Sequence, residues 1–272
     1  MTIGGSLQVA RVESAKLVAQ PKVPLVLGLS VAGPFAFAVA MRIQSSLPTD
    51  TLFGRAVKES GFAVPLVILG FAGLWALPAL TAVVGGDIFS AEDRYGTWTT
   101  TLTRSRGRAD VFLGKVIAAM AFSTIVVTVL ALSSIVAGLS IIGGGMLIDL
   151  SGLALSQGDA LRRVALAWAS VLPPSLAFTA LAVLISLGTR SSAAGIGLPV
   201  VIGLVMQLLA FVDGPEPLRR ALITSAFGAW RGLFAQPAFQ RPLVDAMVVS
   251  AAYVALSLAI ARRLLLRREI GR

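Results

Sequence analysis

The sequence predicts an all-α polytopic membrane protein with six transmembrane helices, an N-terminal interfacial helix and a cytoplasmic helix between spans two and three. Three observations lead there. The 272 residues are 56% hydrophobic and only 13% charged, about half the charged share of an ordinary soluble domain, roughly 25%. The mean hydropathy is +0.87. The apolar residues fall into six runs, each near the length of about 20 residues that a helix needs to cross a bilayer.

Before the first run, residues 7–20 place Leu7, Ala10, Leu17 and Val18 on one helical face, with Arg11, Glu13, Lys16 and Gln20 elsewhere. This pattern predicts a helix lying in the membrane interface. Residues 1–22 contain four charges and no apolar core of signal-peptide length, so a cleaved signal is not expected. The spans are expected at 23–41, 62–84, 111–142, 164–187, 193–212 and 243–261. The third exceeds one crossing, which predicts tilt or a projection beyond the membrane. Pro34, Pro65, Pro78, Pro173, Pro174 and Pro199 fall inside the runs; neighbouring helices in a bundle take up the backbone groups they free. Gly195, Pro199 and Gly203 recur every four residues on one face of the fifth span, a pattern that permits close helix contact. The stretches 143–163 and 213–242 mix polar with large apolar residues. In the second, Leu218, Leu222, Ile223, Phe227, Trp230, Leu233 and Phe234 suggest short helices that dip into the outer leaflet, with a loosely packed loop as the alternative.

Orientation follows from the basic residues. With both termini cytoplasmic, the inner segments hold 14 Lys/Arg against 6 Asp/Glu and the outer segments 9 against 7. That asymmetry obeys the positive-inside rule. Short basic clusters between apolar runs suit anionic lipid head groups, so the net charge of +10 points to membrane lipids and not to nucleic acid.

The chain has no Cys and no His. Disulfides, Cys or His metal sites, thiol nucleophiles and imidazole bases are therefore excluded. No acidic or basic residue lies deep inside any apolar run; Lys115 and Asp245 sit near ends, where a long side chain reaches the interface. Carriers driven by ions usually hold such groups at membrane depth. No phosphate-binding loop is present, because Gly114-Lys115 is followed by Val116. Transport powered by nucleotide therefore needs a separate ATP-hydrolysing subunit.

The segment 87–110 carries the most information. Asp87, Glu92 and Asp93 precede Gly96-Thr97, and a basic cluster of Arg104, Arg106 and Arg108 follows. Ser90 suits a helix start, with Glu92 and Asp93 at its positive end and Gly96 at its stop. Asp110 suits the cap of the next span. From the residues alone this is equally a solvated loop obeying the positive-inside rule.

The string Asp87, Glu92, Tyr95-Gly96-Thr97, Leu102-Thr103-Arg104, Arg108 and Gly114-Lys115 resembles the segment between spans two and three of type-2 ATP-binding cassette (ABC) exporter permeases. The motif covers about 30 residues, and the six-span layout extends the likeness to most of the chain. The chain departs at Ser105, where many members carry Pro. The resemblance implies a bacterial cytoplasmic-membrane permease that pairs with a second permease chain, identical or related, and with two copies of an ABC ATPase. ATP and Mg would be bound by that ATPase and no cofactor by this chain. Asp87, Glu92, Asp93, Tyr95, Gly96, Thr97 and Arg104 would belong to the coupling segment docked on the ATPase. Arg190, in the link between spans four and five, would be a second contact, unless it is a plain inner-side anchor. Spans one, two and five would line the dimer interface and substrate path, with Gly195, Pro199, Gly203 and Gln207 as candidates. A Glu92→Arg exchange is expected to uncouple transport and leave the fold intact. The expected cargo is apolar or amphipathic: a drug, lipid or peptide. An ion-driven carrier, or a membrane enzyme or scaffold, is the alternative.

Overall fold

The computed structural model describes residues 3–46, 48–98, 107–210 and 215–268. Arg104 and its neighbours in 99–106 lie outside the described residues. Among those described, six helices are long and apolar enough to cross a membrane: Lys22–Ile43, Ala63–Asp87, Arg108–Ile141, Gln157–Thr189, Ser192–Ala210 and Arg241–Arg267. The chain is an all-α polytopic membrane protein.

Two spans are not plain α-helices. The second contains a π-helical turn at Ala72–Ala76 between α-helices Ala63–Phe71 and Leu77–Asp87. The fourth is longer than the apolar run 164–187, because a polar first half starts at Gln157, where the Ser156 hydroxyl accepts the Asp159 N–H. It is jointed at Val171, just before Pro173 and Pro174, which have no N–H to continue the ladder. Its second half, Leu172–Thr189, is the hub of the bundle and packs against the second, third, fifth and sixth spans.

The N-terminal helix, Ile3–Val18, lies against the start of the third span. Gly114 makes this possible: a Cβ there would stand 2.6 Å from the Val9 side chain. The buried stripe is Ser6, Ala10, Glu13 and Leu17, while Leu7 and Val18 are exposed. The expected apolar face was Leu7, Ala10, Leu17 and Val18. Packing on a polar partner, Lys115, rotates Glu13 inward and half of that face outward.

At the opposite end of the bundle the loops are folded. Leu147–Ile148 and Ala154–Leu155 form a small antiparallel hairpin. The stretch before the sixth span consists of short helices at Glu216–Ala221 and Ile223–Ala226 and a 3-10 segment, Ala229–Phe234. Ile223, Phe227, Trp230 and Phe234 are buried. Phe227 packs on Phe178 of the fourth span, with ring centroids 6.0 Å apart. Its Cβ lies 3.1 Å from where a Cβ on Gly73 would stand, so the glycine at this point of the second span leaves room for the plug formed by residues 223–234.

Candidate functional site

Asp87 ends the second span, and a single-turn helix, Ser90–Tyr95, follows. Glu92 and Asp93 in its first turn favour the positive end of the helix. Gly96 ends it in the left-handed region at φ 63, which costs a glycine little. Ser90 is not a cap: its hydroxyl donates to the Gly86 carbonyl at 3.0 Å and meets Ser192 Oγ at 2.9 Å. Asp110 is not a side-chain cap either, and accepts the Ser6 hydroxyl at 3.1 Å.

Lys115 centres the site. It is 1% exposed. Its ammonium donates to Glu13 Oε2 at 2.8 Å, Glu92 Oε1 at 2.9 Å and the Ile88 carbonyl at 3.0 Å. Three donors meet three acceptors, the condition under which a charge tolerates burial. The sequence reading sends this side chain to the interface; instead it turns inward, because two carboxylates from other helices need a cation. Lys16 donates to Glu13 at 2.8 Å and stands 3.8 Å from Glu92. Burial works to lower the Lys16 pKa, but the hydrogen bond to Glu13 and the charges of Glu13 and Glu92 outweigh it and raise the pKa above the ordinary lysine value.

The other carboxylates are also tied inside the chain. Asp87 pairs with Lys22 of the first span and, at 3.4 Å, with Arg94. Asp93 accepts the Trp98 indole N–H at 3.0 Å and is gripped by Arg268 from the end of the sixth span. The Ser90 N–H donates to Ser186 Oγ at 3.1 Å. The short helix is thus tied to the N-terminal helix through Lys16 and to four spans: the third through Lys115, the fourth through Ser186, the fifth through Ser192 and the sixth through Arg268.

What remains outside is a tip. Arg94, Tyr95, Gly96 and Thr97 are exposed. Tyr95 is 68% exposed, with the Arg94 guanidinium 4.8 Å above its ring. A cleft of about 870 Å³ runs between this tip and the N-terminal helix, lined by Val12, Glu13, Lys16, Glu92, Tyr95 and Thr97 among others.

A family profile described as ABC-2 family transporter protein matches residues 10–206. The chain belongs to the ABC-2 transporter family. No individual curated protein matches it. The ABC-2 match runs from the N-terminal helix through most of the fifth span and takes in Glu13, Glu92 and Lys115; the plug and the sixth span lie beyond it. The chain is accordingly the membrane component of an ABC transporter.

The remaining candidates of this ABC-2 chain are dispersed. Arg190 is exposed at the left-handed residue that ends the fourth span, φ 57, two residues from Ser192, and so shares the end of the bundle that carries the tip. Gly195 and Gly203 face inward. A Cβ on Gly195 would stand 2.2 Å from the Gly86 carbonyl oxygen, and one on Gly203 would stand 3.3 Å from the Phe178 ring. Pro199, between them, is buried as well. Gln207 lies toward the other end, and its buried Oε1 has no hydrogen-bond partner among the described residues. Sequence reasoning missed Glu13, Lys22, Lys115 and Arg268 as parts of the site. The available signal was Lys115 itself, a cation flanked by Val111, Phe112 and Val116, which demands a partner.

Proposed function

We propose that this chain is the permease of an ATP-driven exporter, and that the tip Arg94–Thr97 docks on a separate ABC ATPase. The observation that carries the reading is the fixed seating of the Ser90–Tyr95 helix: its carboxylates are paired inside the chain while Tyr95 stands exposed beside them. A docked element transmits displacement only when it is stiffly joined to what it must move. Two permease chains and two ATPases complete the transporter. The basic end of the bundle is cytoplasmic, with both termini there, in a bacterial plasma membrane. The cargo is apolar or amphipathic and leaves the cytoplasm or inner leaflet.

Glu92→Arg is a poor probe of docking. It would place a guanidinium against the buried Lys115 ammonium and disturb the fold as well as the coupling. Tyr95→Asp changes only an exposed side chain. The test is purification from mild detergent followed by identification of the copurifying subunits. An ABC ATPase is expected with the unmodified chain and is expected to be lost from Tyr95→Asp, with thermal unfolding of the permease unchanged. Normal ATPase retention by Tyr95→Asp would overturn the docking assignment. Absence of an ATPase from the unmodified complex would count against the transporter assembly.

A further inference from the structure

The sixth span ends with a change of backbone direction. Its helix runs to Arg267, and Arg268 is extended at φ −72, ψ 126. That turn delivers the Arg268 guanidinium to both carboxylate oxygens of Asp93; the Nη1 to Oδ2 distance is 3.1 Å, and Nη2 meets Oδ1. The same guanidinium lies 5.2 Å over the Trp98 ring, whose indole N–H bonds Asp93. Arg108 closes the joint from the third span by donating to the Arg268 carbonyl at 2.8 Å and the Leu266 carbonyl at 3.3 Å. Beneath it Leu265 and Ala261 are buried in the apolar cluster that holds Phe89 and Trp98. A planar, bidentate guanidinium joint resists rotation where a single ammonium contact would not.

The other end of this span meets the plug. Ala246 packs with Ala226 and Ala229. The span as a whole is 27 residues of α-helix with no glycine and no proline beyond the first turn, a rod of about 40 Å. The second span also leads from the coupling helix toward the plug, but its ladder is interrupted by the π turn at Ala72–Ala76, a feature at which helices bend.

We propose that Arg268 is a positioning residue that latches the sixth span to the coupling helix through Asp93, so that this span carries displacement of the helix directly to the plug 223–234. The proposal rests on the exporter reading above. The α-helical sixth span gives a stiffer route than the second, whose π turn takes up part of any movement.

The test uses the complex with its ATPase in lipid nanodiscs and a thiol reporter at Leu218→Cys, exposed beside the plug, in a chain with no other cysteine. ATP is expected to change the labelling rate of this reporter. Arg268→Gln should reduce the ATP-dependent change at least about fivefold, the lower range of energetic coupling between sites, while ATP hydrolysis continues. The exchanged pair Asp93→Arg with Arg268→Asp should recover much of the response, and Arg268→Lys, which keeps the charge without the fork, should be intermediate. A full response in Arg268→Gln would overturn the latch and leave the exporter reading standing. No response to ATP in the unmodified complex would overturn the exporter reading, and the latch with it.

Discussion

Lys115 and Glu92 meet at 2.9 Å in a place where the lysine is 1% exposed, and Glu13 takes a second position on the same ammonium. Removing the lysine takes the buried counter-charge from Glu13 and Glu92 and leaves them to the half-exposed Lys16. Breaking a buried pair in this way costs about 3–5 kcal/mol, so Lys115→Met is expected to lower thermal stability by that order. The triple variant Lys115→Met, Glu13→Gln, Glu92→Gln removes the charges together and should recover most of the loss, because a neutral cluster needs no counter-charge. Thermal unfolding in one detergent decides between them. Equal losses in the single and triple variants would show that Lys115 acts by packing alone.

Gly86 and Gly195 bring the backbones of the second and fifth spans into contact. A Cβ on Gly86 would lie 2.3 Å from the Gly195 carbonyl, where only backbone is available to move. Gly195→Val is therefore expected to cost at least the roughly 1–3 kcal/mol of an overpacked core and to reduce the monodisperse yield. Gly197, two residues on in the same helix, faces open space. Gly197→Val should stay within about 0.5 kcal/mol of the unmodified chain. Size-exclusion profiles and melting temperatures of the two variants check the contrast.

The spans were legible because lipid sets a length and an apolar composition that soluble packing does not, and the six runs meet both. The helix 90–95 was legible from Glu92, Asp93 and Gly96, whose effects are local. The partners of those carboxylates were not. Glu13, Lys115 and Arg268 are remote from the helix in sequence, and each alone resembles an interfacial charge. Which face of the N-terminal helix turns inward depends on Gly114 and Lys115 of another span, so its own periodicity pointed to a different one. Pro78, which has no N–H to offer the Leu74 carbonyl, marked a break in the second span but not its form as the π turn Ala72–Ala76, where Phe227 of the plug packs at Gly73.

Asp149 holds the opposite end of the protein together. Its side chain is fully buried beside Arg163. One oxygen accepts the N–H groups of Ser151 at 2.9 Å and Leu153 at 3.0 Å, and the other accepts Gln236 Nε2 at 3.1 Å and Arg163 at 3.5 Å. It thus joins the hairpin, the fourth span and Gln236, two residues beyond the plug. Hydrogen bonds to a charged group contribute about 1.5–3 kcal/mol, so Asp149→Ala is expected to cost at least that much and to open the hairpin to protease. Asp149→Asn keeps an acceptor oxygen and should lose less. Limited proteolysis with mass mapping of the first cuts checks both: cleavage should appear near 146–155 in Asp149→Ala first.

The orientation of the bundle yields the last prediction. The charged end carries Tyr95 and Arg190, both exposed; the opposite end carries Met146, which is 72% exposed. Because the chain has no cysteine, one introduced thiol reports one position. The excess of Lys and Arg at the charged end supports the proposal that this end is cytoplasmic. Met146→Cys is therefore expected to react with a membrane-impermeant maleimide on intact cells, and Tyr95→Cys and Arg190→Cys only after permeabilisation. Arg190→Cys serves as the second inner reporter, since a docked subunit would shield Tyr95. Labelling of Arg190→Cys on intact cells with protection of Met146→Cys would invert the topology and remove the tip Arg94–Thr97 from any cytoplasmic ATPase.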